Sequence, residues 1–283
     1  MLNKGKWLAV PALTWLILFF AAPLLMIALY SFFQRGLYGE LVYEWTIHNY
    51  TRLFDSLYGK IMLDTLVVSF LTTFLTLMIA YPLAYYIAGL KPHKQKIWLL
   101  LMMLPFWINF LIRSYAWVVI LRSQGIVNMV LMHFGWIEEP LQLLYNNGAV
   151  MLGMVYTLLP FMVLPIYVTL EKLERNKLEA AYDLGATPWK AFLHVTLPLT
   201  KSGIINGCVI VFVSSIGMFI VPDVMGGAKT MLLGNLIQNQ FLSARDWPFG
   251  SAASMVLMVL SLVLLYWQYR AGKVKNGQEV LKL

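Results

Sequence analysis

One stretch without a charged side chain decides the fold of this chain: Leu66-Val-Val-Ser-Phe-Leu-Thr-Thr-Phe-Leu-Thr-Leu-Met-Ile-Ala-Tyr-Pro-Leu-Ala-Tyr-Tyr-Ile-Ala-Gly-Leu90. A helix needs about 20 apolar residues to cross the hydrocarbon core of a bilayer, and this stretch is long enough. Similar stretches recur before and after it. We therefore predict an all-α integral membrane protein, a single transmembrane domain over residues 1–283, with six spans at residues 7–33, 66–90, 97–121, 149–170, 202–221 and 247–269.

The composition supports a membrane protein. Apolar residues make up 60% of the 283 residues and charged residues only 12%, and the mean hydropathy is +0.72. A soluble core cannot bury so large an apolar share, so a bilayer must cover much of it. The single cysteine, Cys208, lies in an apolar run without neighbouring ligands, so we predict neither an intrachain disulfide nor a metal site.

The basic residues predict the orientation, because positively charged loops tend to stay in the cytoplasm. With the N-terminus inside, the cytoplasmic segments carry Lys4, Lys6, Lys91, Lys94, Lys96, Lys172, Arg175, Lys177, Lys190, Lys201, Arg270, Lys273, Lys275 and Lys282. The opposite side holds Arg35, Arg52, Lys60, Arg122, Lys229 and Arg245, together with several acidic residues. We therefore predict that both termini are cytoplasmic. The net charge of +8 then reflects membrane topology, and a nucleic-acid partner is not expected.

The segments predicted to face outside are long, over residues 34–63, 122–148 and 222–246, and could meet a partner. The second contains an apolar run, Ile126–Trp136, that is too short to span. It is typical of an interfacial or re-entrant helix, or of a segment packed on the bundle. Within the six spans the sequence places a single charge, Arg113, in the third.

A cytoplasmic segment between the fourth and fifth spans is the most informative: Leu178-Glu-Ala-Ala-Tyr-Asp-Leu-Gly-Ala-Thr-Pro-Trp-Lys-Ala-Phe-Leu-His-Val-Thr-Leu-Pro198. Good helix formers predict a helix over residues 171–184. Gly185 then supplies a residue that adopts positive φ at a helix end. The pattern predicts a turn at this glycine.

A second short helix is predicted after the turn. Thr187 suits the N-cap and Pro188 the first helical position. The helical spacing of three apolar residues offers one face outward, formed by Trp189, Phe192 and Leu193. Pro198 is expected to end this helix.

The segment resembles the signature loop of ABC importer permeases: Glu-Ala-Ala, three residues, Gly, nine residues, Ile, one residue and Leu-Pro. The matching residues are Glu179, Ala180, Ala181, Gly185, Val195, Leu197 and Pro198, with valine in place of isoleucine as the one departure. The resemblance implies that the loop at 171–201 docks into a groove of a cytosolic ATPase. ATP and magnesium would be bound by that partner, because this chain has no phosphate-binding loop; Gly226–Thr230 is only an imitation.

Three further stretches resemble spermidine/putrescine permeases: Phe106–Trp117, Asp223–Lys229 and Arg245–Gly250. The likeness extends over residues 7–269 and is greatest to the first of the two permease subunits. It implies a type I ABC importer permease fold with a cytoplasmic coupling helix, in the bacterial inner membrane. By this resemblance, the lipid-embedded complex would also contain a homologous second permease, two ATPase copies and an external polyamine-binding protein.

A passage for a polycation should offer carboxylates and aromatic faces. The candidates are Asp223, Asp64, Trp107, Asn109, Tyr115 and Trp117. Asp223 would otherwise be a solvated helix-end carboxylate or a partner for Arg113, and aromatic residues also line membrane interfaces routinely. For Arg113 we expect a structural role, with a salt bridge to Asp64 or Asp223 or a gate as possibilities.

Other function classes fit the sequence less well. A secondary transporter also uses broken helices but has no use for an ATPase-docking loop. A membrane enzyme lacks support, because the hydrolase and metalloprotease motifs are missing and the four histidines are scattered. The composition alone does not exclude a receptor or scaffold. For an ABC importer permease, the alternative to a polyamine is a different transported solute. The chain is thus predicted to be a non-catalytic transport subunit.

Overall fold

The computed structural model describes residues 10–11, 13–36, 38–227 and 230–280, without the side chains of residue 175 and residues 271–280. Parts of the predictions above lie outside this description: residues 7–9 and 12 of the first span, and Lys4, Lys6, Lys229 and Lys282. The side chains of Arg175, Lys273 and Lys275 are outside it as well.

The described part of the chain is almost entirely helical. Its helices are α1 Leu13–Tyr30, α2 His48–Arg52, α3 Ser56–Ala88, α4 Pro92–Trp107, α5 Phe110–Leu121, α6 Ile126–His133, α7 Asn147–Glu171, α8 Arg175–Asp183, α9 Pro188–Ile216, α10 Ile220–Gly226, α11 Leu233–Leu242 and α12 Trp247–Val280. Two short strands, β1 Gln34–Arg35 and β2 Leu41–Val42, pair antiparallel. The predicted fold class, an all-α membrane protein, is confirmed.

Six helical segments in the described residues are long and apolar enough to cross a membrane, as predicted. Five of them are α1, α3, α7, α9 and the first part of α12. The sixth, Phe110–His133, joins α5 to α6, whereas the sequence placed the third span at residues 97–121. We assign the third span to α4 followed by α5, because α4 begins with basic residues and is free of charge from Ile97 onward.

The predicted third span is divided into two helices. Pro105 lies in the last turn of α4, where its missing N–H weakens the helix. Ile108 is extended, with φ −84 and ψ 135. The Asn109 side chain then caps α5 by accepting a hydrogen bond from the N–H of Leu111, with 2.9 Å between nitrogen and oxygen. The sequence thus contains both a stop signal and a start signal inside one apolar run.

The chain forms two compact units, and the larger comprises residues 64–232 and 261–283. Its core is centred on α7, where Met154, Leu158, Met162 and Ile166 are at most 1% exposed. Two glycines let α9 approach this helix, since a Cβ on Gly207 would lie 2.7 Å from the Met162 sulfur and one on Gly203 would lie 2.6 Å from the carbonyl oxygen of Pro165. Small residues four apart allow such contacts in membranes.

The second unit, residues 1–63 and 233–260, has an ion pair at its centre. Arg52 and Asp246 are joined at 2.9 Å between Nη1 and Oδ2, and the guanidinium lies 4.1 Å from the centre of the Phe249 ring. Burial alone would lower the pKa of Arg52, but the hydrogen bond and the charge of Asp246 outweigh it, so the pKa is raised. The other oxygen of Asp246 accepts from the N–H of Phe249, at the start of α12.

Candidate functional site

The signature segment contains a sharp turn that only its glycine fits well. Gly185 has φ +81, and its N–H donates to the carbonyl of Tyr182 at 2.8 Å. The N–H of Ala186 donates to the carbonyl of Ala181 at 3.0 Å. This pair of bonds is a Schellman motif, which satisfies the last carbonyls of α8. The predicted turn at Gly185 is therefore observed, and it is fixed by backbone hydrogen bonds.

The second helix of the segment begins where the sequence predicted. Thr187 accepts a hydrogen bond from the N–H of Lys190 at 3.4 Å, and Pro188 occupies the first turn. The predicted end at Pro198 is wrong, because α9 continues from Pro188 to Ile216.

A π-helical segment, Phe192–Thr196, explains why the proline is tolerated. The N–H of Leu197 bonds to the carbonyl of Phe192, one residue farther back than in an α-helix. This wider turn precedes Pro198, which has no N–H to donate and whose ring would clash with the carbonyl four residues earlier. The second helix of the signature segment and the predicted fifth span are therefore one continuous helix.

The turn presents apolar side chains to the surroundings. Leu184 is 89% exposed and Trp189 67% exposed, with Tyr182 also exposed. Sequence reasoning identified Trp189 but missed Leu184 and Tyr182, which occupy variable positions of the signature. Of the signature residues themselves, Glu179, Ala180, Gly185 and Pro198 are exposed, and Ala181, Val195 and Leu197 are partly buried. An apolar tip on a well-ordered turn is typical of an interaction surface.

Phe192 joins this surface to the membrane-spanning helices. Its ring stacks on Trp189 with 5.6 Å between centroids. It also meets Tyr81 of α3 edge-on at 5.6 Å and Tyr85 at 6.1 Å. The hydroxyl of Tyr81 lies 3.1 Å from that of Thr200, farther along α9. A displacement of the turn would thus reach α3 through packed rings and a buried hydrogen bond.

Gln95 closes the short loop between α3 and α4. Its amide nitrogen donates to the carbonyls of Ala88 and Leu90 at 3.0 and 2.9 Å. Its amide oxygen accepts from the hydroxyl of Tyr167 on α7, at 3.2 Å. No local sequence pattern predicts this role of Gln95, because its partners lie on three different segments.

The residues predicted for the substrate path are only partly brought together. Asp223 is exposed on α10, and α10 packs against both α5 and α7. Asp64 is exposed on α3. Gly153 allows α10 to approach α7 closely, because a Cβ at this position would lie 2.5 Å from the sulfur of Met225 on α10. The helix that carries Asp223 therefore packs against the helix that carries Arg113, and the role of Asp223 in substrate contact stays a prediction.

The predicted aromatic and amide candidates differ in what they do. Trp107 is 78% exposed and Tyr115 59% exposed, so both are available to a ligand, a lipid or a partner. Asn109 is exposed, but its side chain already caps α5. Trp117 packs edge-on against Tyr156 with 5.4 Å between centroids, as part of the core.

Arg113 is buried, with 8% of its surface exposed. Its Nη1 donates to the carbonyl oxygen of Pro105 at 3.1 Å, while its Nε has no hydrogen-bond partner among the described residues. The salt bridge considered for it is not formed: the ion pairs among the described residues are Arg52–Asp246 and Glu174–Lys177. The guanidinium instead bonds to the last turn of α4, where it shares the carbonyl oxygen of Pro105 with the N–H of Ile108, which donates at 3.3 Å.

Sequence and structure comparisons place this architecture among transport proteins. The profile of the family described as "Binding-protein-dependent transport system inner membrane component" matches residues 2–271. The spermidine/putrescine transport system permease protein PotB of Haemophilus influenzae is 44% identical over 281 residues, covering 99% of this chain and 98% of the relative. PotB of Escherichia coli K12 is 42% identical over 271 residues, covering 95% and 98%.

A solved structure has the same fold at low sequence identity. It belongs to a bacterial alginate ABC transporter in complex with an alginate pentasaccharide-bound periplasmic protein. The TM-score is 0.76 at 18% identity, covering 94% of this chain and 93% of the other. The membrane fold of an ABC importer is thereby confirmed.

Proposed function

The chain belongs to the family of binding-protein-dependent transport system inner membrane components, and from that premise we propose that it is a permease subunit of an ATP-driven spermidine/putrescine importer. The family is a transport component and not a catalytic one. Identity of 42–44% over nearly the full length of relatives that carry this function supports the polyamine substrate.

The observation that carries the coupling role is the apolar turn at Leu184 and Trp189. This surface is held by the Schellman motif and linked through Phe192 to α3. We propose that a cytosolic ABC ATPase, in two copies per complex, receives the turn and binds the ATP and magnesium that power transport. The residues of the signature, from Glu179 to Pro198, would shape the segment for this contact.

The proposed orientation puts both termini and the segment at 171–201 in the cytoplasm. Support comes from the basic residues that flank these segments, such as Lys94 and Lys96 at the start of α4 and Lys172, which follows α7. The long segments on the other side would then face the periplasm, where a polyamine-binding protein delivers substrate. A homologous second permease would complete the passage.

Substrate contact is proposed for Asp223 first and for Asp64 second. Both carboxylates are exposed, and an ammonium group is attracted to carboxylates and aromatic faces. Trp107 and Tyr115 could supply such faces, whereas Asn109 and Trp117 would act mainly by holding α5 in place.

The test is uptake of labelled spermidine into proteoliposomes that contain the chain with its candidate second permease and ATPase, with and without the binding protein. We expect uptake to require ATP and all partners. ATP hydrolysis that is stimulated by the binding protein without spermidine uptake would show that the solute is a different one. Failure of the ATPase to co-purify with the permease would contradict the docking role of the turn.

A further inference from the structure

The role of Arg113 is the question that the transport function leaves open. A charge in a membrane span is costly unless it is paired or solvated. Only 8% of the surface of Arg113 is exposed, and no carboxylate of the described residues pairs with it. Such a residue is retained only where its charge or its hydrogen bonds serve a purpose.

The surroundings of the guanidinium form a cage for a cation. Its acceptor is the carbonyl of Pro105, in the last turn of α4, where the helix dipole is negative. Three rings surround it, with distances from Cζ to the ring centre of 5.6 Å for Phe106, 5.3 Å for Phe110 and 5.7 Å for Tyr156. Rings at these distances attract a cation.

Two rings of the cage have aromatic partners other than the guanidinium. Phe106 meets Phe161 of α7 edge-on at 5.3 Å, and Tyr156 meets Trp117 at 5.4 Å. The three rings come from α4, α5 and α7, so the cage is built by three helices. Phe106 is itself 39% exposed and adjoins the exposed Trp107, so one wall of the cage reaches the surface of the chain.

This cage has the chemistry that recognises alkylammonium ions, namely a carbonyl acceptor and aromatic faces. Arg113 fills it incompletely, since its buried Nε makes no hydrogen bond within the part of the chain that the structure describes. An unmade hydrogen bond in a buried site costs free energy, so the guanidinium is held less firmly than a fully paired one.

We propose that this cage is a cation subsite that the chain's own Arg113 occupies at rest, and that one ammonium group of the transported polycation takes the subsite by displacing Arg113. The proposal rests on the polyamine function. Repulsion between the two cations prevents both from occupying the cage, so Arg113 acts as an internal competitor. It also keeps the cage closed to smaller cations when no polyamine is present.

Competition predicts a change in apparent affinity. When the binding-competent state is only fractionally populated, the apparent dissociation constant rises by the inverse of that fraction. If Arg113 fills the cage about 80–90% of the time, its removal lowers the apparent constant about five- to tenfold. A merely structural clasp between α4 and α5 predicts no gain in affinity.

The experiment uses the reconstituted complex with its binding protein and compares Arg113→Gln with Arg113→Lys. Glutamine keeps an N–H donor but carries no charge, whereas lysine keeps the competing charge. We expect KM for spermidine uptake to fall about fivefold in the glutamine variant and to stay near the wild-type value in the lysine variant. An unchanged or raised KM in a folded Arg113→Gln complex would overturn the proposal.

A second measurement keeps the proposal testable if transport by these variants is too weak to measure. In Arg113→Ala the cage is empty, so methylguanidinium should raise the thermal stability of the purified complex in a saturable way, with no such effect on the wild type. Equal responses of the two proteins would contradict a cation cage. Absence of spermidine uptake by the wild-type complex would instead count against the polyamine function, and the methylguanidinium test would still decide the cage.

Discussion

The proposed coupling segment (Leu178–Pro198) and the break region between α4 and α5 (Ile108 and Asn109) are both places where a helix is interrupted, but they are built differently. At the coupling segment, Gly185 ends α8 through bonds to residues at most five positions away. At the break, the buried guanidinium of Arg113 reaches back to Pro105 among rings from three helices. The first interruption is a local backbone motif, and the second depends on tertiary packing.

This difference shows how the two regions can fail. A local motif should tolerate changes in its surroundings but not a change of backbone conformation. A packed break should respond to side-chain size and charge on helices far away in sequence.

Replacement of Gly185 by arginine should abolish coupled transport. The φ of +81 costs a residue with a side chain about 1–2 kcal/mol, which shifts the turn about tenfold toward other conformers. A bulky cation would also stand on the docking surface. We expect correct membrane insertion, with spermidine uptake and its ATP dependence lost in proteoliposomes.

Gly185→Asn is the matched control, because asparagine tolerates the left-handed region better than other residues. A Cβ at Gly185 meets nothing within 4 Å, so any loss in this variant would come from the backbone or the partner. The asparagine variant should keep most of the uptake. Normal coupling in Gly185→Arg would remove the docking role from this turn.

Replacement of Gly203 by valine should destabilise the packed core, where α5 and α9 both contact α7. A Cβ would lie 2.6 Å from the carbonyl of Pro165 and also contact Thr169, so α9 would have to move away. Overpacking of this kind costs about 1–3 kcal/mol. The measurement is thermal unfolding of the purified complex, with Gly217→Ala as a control because a Cβ there meets nothing within 4 Å.

A lowered melting temperature in both variants would mean that glycine itself, and not close approach, matters at these positions. If neither variant is less stable, the contact between α9 and α7 does not limit stability.

The sequence predicted the local features of the coupling segment because their signals lie within a few residues of one another. Positive φ at Gly185 and the cap at Thr187 each depend on neighbours in the chain. The predicted helix end at Pro198 was wrong because a π-helical turn accommodates the proline within α9. No sequence pattern predicts that turn. Gly203 and Gly207 have a spacing that allows a close helix contact, but this spacing does not identify α7 as the partner helix.

The features that could not be predicted depend on distant residues. Tyr81 and Thr200 are 119 residues apart in the chain, so their hydrogen bond follows from the packing of α3 against α9. Pro105 is a local signal for the division of the third span. For Arg113 the sequence predicted a structural role and left open a salt bridge to Asp64 or Asp223, or a gate. The structure provides a helix carbonyl and aromatic rings instead, which is a way of placing a cation that charge counting does not reveal.

Asp223→Asn should impair polyamine uptake moderately, because Asp223 is exposed on a helix packed against the break region. An exposed charge pair is worth about 0.2–1 kcal/mol, so KM should rise up to about fivefold. The ATPase should still co-purify. Asp55→Asn is the control, since it removes an exposed carboxylate from the other compact unit. Equal KM values in the two variants would mean that Asp223 is a solvated helix-end residue that does not contact the substrate.

Thr187→Ala should have the smallest effect on stability and uptake, because it removes a single weak hydrogen bond of a local motif. Loss of an N-cap costs about 0.5–2 kcal/mol, and the lower end applies here because the oxygen lies 3.4 Å from the N–H of Lys190 at an exposed site. Pro188 and the Schellman bonds would still direct the chain into α9. Thermal unfolding and uptake should change little, and Thr187→Ser should match the wild type. A loss as large as that of Gly185→Arg would mean that Thr187 contacts the ATPase directly, because the free energy of one weak cap cannot account for it.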